Sequence, residues 1–171
     1  MGLLPLLLYL ALSWVRINDR EVVWSAHRPL TYADFRGRIP SNSPWAATTR
    51  STIRFSYETV NGALTQWEVR ATFDPQASWM RVKEPAVLQH EQLHFDITEV
   101  YARKFCRHLQ RLQGSRVMRP MLKELFDTYN RQCDSVHIVY DQQTQHGTLT
   151  AAQAAWRDTV SRWLESHEPC P

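Results

Sequence analysis

Between Thr52 and Phe73 the sequence has a period of two, and this stretch constrains the fold more than any other. Ile53, Phe55 and Tyr57 alternate with Thr52, Arg54, Ser56 and Glu58. Trp67, Val69, Ala71 and Phe73 alternate with Gln66, Glu68, Arg70 and Thr72. Such a pattern gives each strand one apolar and one polar face, as in a half-buried antiparallel sheet. Asn61-Gly62 stands between the two runs, and both residues accept the positive φ that a two-residue hairpin turn requires. Strands are therefore expected over residues 46–57 and 63–73.

From Glu84 the period changes. Val87, Leu88, His94, Phe95, Tyr101, Phe105 and Leu109 recur at helical spacing, Pro85 stands where a first-turn proline is tolerated, and Gly114 marks a stop. A helix over residues 85–112 follows. Pro120 opens a second helix that continues to Asp141. "QQTQHGT" breaks it, and a third helix covers residues 150–167 with Thr150 as its N-cap. Upstream of the hairpin, "REVVWSAHRPLTYADF" reads as a short strand, a turn at Arg28-Pro29 and a second extended piece. "GRIPSNSPWAA" reads as a loop. Strands first and helices afterwards make an α+β fold, a small antiparallel sheet followed by three helices.

A chain of 171 residues is long enough to bury one core. Its net charge is +3 with no run of Lys or Arg, so nothing supports a nucleic-acid partner. The N-terminus is apolar from Leu3 to Val15 except for Ser13. That is shorter than the roughly 20 residues of a membrane span and matches the apolar stretch of a secretory signal. No Lys or Arg precedes it. Ala11 and Ser13 supply small residues for cleavage after Ser13. The expected organisation is a signal peptide over 1–13 and a single domain over 14–171, secreted or periplasmic, with no membrane span in the mature chain.

Export permits disulfides. The cysteines are Cys106, Cys133 and Cys170, with no CxxC that would suggest a cysteine-based zinc site. If the first two helices fold back near residues 115–116, Cys106 lies level with about residue 125. Cys133 is then about 12 Å further along, beyond disulfide reach. A third helix running back along the second brings Cys170 into the neighbourhood of Cys106. The expected disulfide is Cys106–Cys170, with Cys133 a buried free thiol.

Inside the first helix lies "HEQLH", residues 90–94. Histidines four apart share one helix face, so His90 and His94 can aim ring nitrogens at one ion. Glu91 sits 100° round the helix, where it can take a proton from a metal-activated water without being a ligand. A catalytic zinc needs a third protein ligand and an open position. The same fold-back puts His90 level with about residue 141 and His94 with about residue 137, which leaves His137, Asp141 and His146 as candidates. Glu99 lies about 140° off the His94 face.

"QHEQLHFDITEVYARKF" together with "YDQQTQHG" resembles the bacterial domain-of-unknown-function family 922, whose members are described as secreted zinc-dependent proteases. "WSAHRPLTYADFRG" is similar to that family's opening, and the resemblance spans residues 22–165. It implies His90, His94 and His146 as ligands of one zinc per chain, with Glu91 as general base. Asp141 would then accept a ligand histidine's N–H, and Tyr140 would donate its hydroxyl to a developing oxyanion.

Two functions are compatible with these residues. One is an exported zinc-dependent hydrolase, a peptidase of zincin-like layout acting on a peptide or protein. The other is an exported zinc-binding or interaction module without turnover. Glu91 favours the first, because a structural site has no use for a base.

Overall fold

The computed structural model describes residues 21–170, so the expected signal at 1–13 lies outside the described residues. The chain order is β1 (Val22–Val23), a 3-10 turn (Tyr32–Asp34), β2 (Ala47–Thr48), β3 (Ser51–Val60), β4 (Ala63–Phe73) and β5 (Trp79–Met80). Three helices follow, α1 (Pro85–Leu112), α2 (Arg119–Thr144) and α3 (Thr150–Ser166). The fold is α+β, with a small antiparallel sheet and three helices, as the change of period predicts.

The hairpin is built as its alternation requires. Ile53 pairs with Ala71, Phe55 with Val69 and Tyr57 with Trp67, all on the face that meets α1. Asn61 (φ 53°) and Gly62 (φ 81°) make the turn in the left-handed region, where a glycine costs nothing sterically. Spatial order in the larger sheet is β1-β4-β3. The expected strand over 46–57 is divided. Its first part, β2, pairs with β5, and the chain switches partner at Thr49-Arg50 before joining β4. Two hydrogen bonds hold the switch: Arg50 N–H donates to Ser78 Oγ (2.8 Å), and Asp74 N–H donates to the Arg50 carbonyl (2.9 Å).

The expected second extended piece near Thr31 is a 3-10 turn. Asp34 bends the chain there by accepting from the Thr31 N–H (2.7 Å), the Thr31 hydroxyl (2.9 Å) and Arg28 Nη2 (2.6 Å). Burial works to raise the Asp34 carboxyl pKa, but Arg28 and Thr31 outweigh it and hold the group below its ordinary range. This segment braces α1. The Leu30 N–H donates to Gln92 Oε1 (2.6 Å), Trp24 Nε1 donates to Asp96 Oδ1 (2.8 Å), and Phe35 packs edge-on against Phe73 at 5.2 Å.

Helix α1 is central, with the sheet on one side and α2 and α3 on the others. Phe95, Ile97, Val100, Phe105 and Leu109 are completely buried or nearly so along it. Truncating a residue such as Phe105 to Ala would cost about 3–5 kcal/mol. Near Gly114 the chain turns back beside the hairpin, where the Gly114 N–H donates to the Leu64 carbonyl (2.8 Å) and the Leu64 N–H donates to the Ser115 carbonyl (3.0 Å). The fold-back therefore falls where the helix levels require it. α2 runs three residues beyond its expected end, and α3 is capped by Leu149 rather than Thr150.

Cys106 and Cys170 form a disulfide with Cα atoms 5.8 Å apart, and Cys133 is free and buried, as the levels predict. Burial pushes the Cys133 thiol up to about 12, so it behaves as a small apolar residue. Arg103 fixes the far end of α3. Its Nη1 donates to the carbonyls of Leu164 (2.9 Å) and His167 (2.8 Å), and its Nε donates to Glu99 (2.8 Å). Glu99 is thus engaged by Arg103 and is not part of the His90–His94 face. No described helix is long and apolar enough to cross a membrane.

Candidate metal centre

One turn of α1 and the C-terminal turn of α2 face each other below the extended segment 45–51. Between them lies a cleft of about 360 Å³ whose lining includes Trp45, Glu91, His94, Asp134, Asp141 and His146. Thr49 ties the segment to α1 by donating its hydroxyl to the Glu91 carbonyl (3.3 Å).

Three ligand atoms converge at the floor. Asp141 Oδ1 is 3.1 Å from His90 Nε2 and 3.1 Å from His94 Nε2, and the two nitrogens are 3.3 Å apart. Ligands at zinc bond lengths of about 2.0–2.1 Å in a tetrahedron stand about 3.3 Å from one another. The spacing therefore fits such an ion, and two imidazoles with a carboxylate are a donor set zinc accepts. Among the described residues this is the group of His, Cys, Asp and Glu side chains compact enough to hold a metal.

Glu91 supplies the second test of fit. It is 5% exposed, and its Oε2 is buried without a hydrogen-bond partner, on the cleft wall beside the cluster. A buried carboxylate oxygen left unpaired is costly, and a water held by an ion at the cluster would satisfy it.

The charges are mutually adjusted. Burial works to raise the Asp141 carboxyl pKa, but hydrogen bonds from His90 and His94 and the charge on those rings keep it well below the carboxylate range. Burial works to lower His90, and its bonds to Asp141 and Gln153, with the nearby Glu91 charge, raise it above the ordinary histidine value.

The expected third ligand, His146, is not the residue that completes this cluster. Its Nδ1 is 3.5 Å from Asp141 Oδ1, and its ring is about half exposed and packs against Trp45 at 4.1 Å between centroids. His146 follows Gln145 in a left-handed turn, with φ values of 53° and 46°, and this turn swings its ring to the rim. Asp141, expected behind a ligand, is instead in the cluster. The backbone that follows explains the closeness of the turn, because Gly147 presses directly on the His90 ring.

Tyr140 also differs from expectation. It is completely buried, its ring stacks on His90 at 4.6 Å, and its hydroxyl meets Gln153 and the His90 carbonyl rather than the cleft. It cannot donate to a substrate oxyanion from there. His137 lies below His94, with the two Nδ1 atoms 2.9 Å apart and His137 Nε2 near Thr98 Oγ1 (3.3 Å) and Cys133 Sγ (3.4 Å). Burial, reinforced by His94, pushes His137 down to about 3, so the ring is neutral. A neutral ring that donates from Nε2 must accept at Nδ1. Where His137 Nε2 donates to Thr98 or Cys133, its Nδ1 accepts from His94 Nδ1, and a metal would then take the place of the His94 Nε2 proton shared with Asp141.

Gln153 and Trp45 were not singled out by the sequence. The antiparallel levels would have found Gln153, since a turn near residue 146 sets it opposite about residue 139, beside Tyr140. Trp45 carries no periodic signal in its proline- and serine-rich loop.

The fold and the cluster together define an α+β domain with a preformed two-histidine, one-aspartate site at the foot of a cleft. Residues 24–147 match the family described as "Bacterial protein of unknown function (DUF922)", and the chain belongs to that family. The chain matches no curated protein and no solved structure.

Proposed function

We propose that the protein is an exported zinc-dependent hydrolase, a peptidase of zincin-like layout in which His90, His94 and Asp141 hold one zinc per chain. The observation that carries this reading is the buried, unpartnered Oε2 of Glu91 beside three converging ligand atoms. Zinc bound there would supply Lewis acidity, making water acidic enough to attack at neutral pH. Glu91 Oε2 takes the proton from the attacking water and can return it to the leaving amine. His137 holds His94 in its ligating tautomer. The extended segment 45–51 forms the wall along which a peptide backbone would lie, by addition of a strand at the mouth of the cleft. The Cys106–Cys170 disulfide supports an oxidising compartment, secreted or periplasmic.

The second reading, a zinc-binding module without turnover, is favoured by one observation. His146 Nδ1 is close enough to Asp141, at 3.5 Å, for a small ring movement to make it a further ligand. Four protein ligands would close the site, whereas His146 held against Trp45 leaves a position open for water. The deciding experiment is metal analysis of chelator-free protein alongside a peptide-library digest, each repeated on Glu91→Gln. Zinc near one equivalent with cleavage that Glu91→Gln abolishes supports the hydrolase. Zinc without cleavage supports the module, and less than a tenth of an equivalent after reloading overturns both.

A further inference from the structure

We propose that α3 is part of the metal site through Gln153, which fixes the His90 imidazole in the tautomer that leaves Nε2 free for the ion. This inference rests on the metal-centre reading above. It adds a positioning residue from a helix that lies beyond the family-matched residues.

Gln153 stands in the first turn of α3 and reaches behind His90. Its Oε1 is 3.1 Å from His90 Nδ1, and its Nε2 is 2.7 Å from the Tyr140 hydroxyl oxygen. That hydroxyl is in turn 3.3 Å from the His90 backbone carbonyl. His90 Nδ1–H donates to Gln153 Oε1, Gln153 Nε2–H donates to Tyr140 Oη, and Tyr140 O–H donates to the His90 carbonyl. The cycle starts and ends on one residue and satisfies the hydroxyl of a tyrosine with no exposed surface. With the proton on Nδ1, the Nε2 lone pair points at the cluster with Asp141 and His94.

The opposite amide orientation would put the ring proton on Nε2, between His90 and Asp141, where it opposes metal binding. The direction of this one amide therefore decides whether His90 is ready to ligate. Gln153 is itself held from both ends of its helix. The Leu149 N–H donates to the Thr144 carbonyl (3.0 Å) at the start, and Arg103 and the Cys106–Cys170 disulfide anchor the end. Outer partners of this kind commonly change metal affinity by about 10–100-fold.

The test uses the full mature chain and zinc itself. Competition with a chromogenic chelator gives zinc affinity for the wild type, Gln153→Leu and Gln153→Glu, and nitrogen-resolved NMR locates the His90 ring proton. Gln153→Leu is expected to weaken zinc about 10–100-fold, whereas Gln153→Glu, whose carboxylate still accepts the Nδ1 proton, should stay within about threefold of wild type. The wild type should show a His90 Nδ1 proton both with and without zinc.

Unchanged affinity in Gln153→Leu, or equal losses in both variants, would overturn the proposal, the latter by reducing Gln153 to packing. If Gln153→Leu fails to fold, the wild-type protein decides, and a His90 Nδ1 without a proton, or zinc ligation through Nδ1, overturns the proposal. Wild-type protein that binds no zinc would sink the proposed function, and the zinc-free proton position would still decide this inference.

Discussion

Gly147 lies against the ring of His90 so closely that a Cβ there would stand 2.9 Å from His90 Cγ and 3.0 Å from Nδ1. The glycine also has φ +83°, a backbone conformation that other residues adopt only under strain. The turn after α2 and the rear of the cluster are thus one packing unit. The His90 ring lies between Gly147, the Tyr140 ring and Gln153.

Gly147→Ala is therefore expected to do two things. The strained backbone should cost about 1–2 kcal/mol of stability, and the displaced His90 ring should weaken zinc by tenfold or more. Calorimetry and chelator competition read the two effects separately. A lowered melting temperature with wild-type zinc affinity would limit the role of Gly147 to the turn.

Glu91→Gln is expected to keep its zinc and lose hydrolysis by about 10²–10⁴-fold, the usual contribution of a general base. The amide is nearly isosteric but cannot take the proton. Elemental analysis and single-turnover assays on a cleaved library peptide check this. Turnover within threefold of wild type would remove Glu91 from the chemistry.

Asp141→Ala and His146→Ala separate the two candidates for third ligand. The converging distances favour Asp141, so its variant should lose zinc about as badly as His90→Ala, while His146→Ala should retain it. The reverse result would mean that the His146 ring leaves Trp45 when metal binds, and would return the ligand set to the one its resemblance implies.

The parts of the site that follow from local periodicity were legible in the sequence. The hairpin pattern, the Asn61-Gly62 turn and the span of α1 each rest on neighbours in the chain, and the structure bears them out. So do the helix levels, which set His90 beside Asp141, His94 beside His137 and Cys106 within reach of Cys170. What the levels could not give was ring direction. Whether Asp141 or His146 points inward depends on two left-handed residues at the end of α2, and neither Gln145 nor His146 signals that conformation as an Asn or Gly would. Tyr140 departs from its expected role for a related reason. Its place on the helix was right, but the partner that captures its hydroxyl comes from α3, a contact set by tertiary packing.

Acid should destabilise the metal-free protein below about pH 6.5, and His137 is the cause. Folded His137 stays neutral down to about 3, whereas in the unfolded chain it takes a proton near its ordinary value. A depressed folded pKa gives stability that is full above the unfolded pKa and falls as pH drops below it, by at most about 1.4 kcal/mol per pH unit for one group. His90 acts in the opposite sense, because its folded pKa is raised and protonation favours the folded state. Urea unfolding in chelator at pH 7.5 and pH 5 should show the net loss, and His137→Asn should reduce or reverse it. An unchanged slope in that variant would mean that water reaches His137.

Removing the disulfide tests how the far end of α3 is held. Cys106 and Cys170 close a loop of 64 residues, and by chain entropy that constraint contributes on the order of 4 kcal/mol, acting on the unfolded state. Arg103 still grips the Leu164 and His167 carbonyls, so α3 should stay docked and Gln153 should keep its bond to His90. Cys106→Ser with Cys170→Ser is expected to unfold at clearly lower urea while binding zinc within about threefold of wild type. A stability loss below about 1 kcal/mol would remove the disulfide as a major support. A zinc affinity that falls as far as in Gln153→Leu would show that the disulfide, rather than Arg103, keeps the helix at the site.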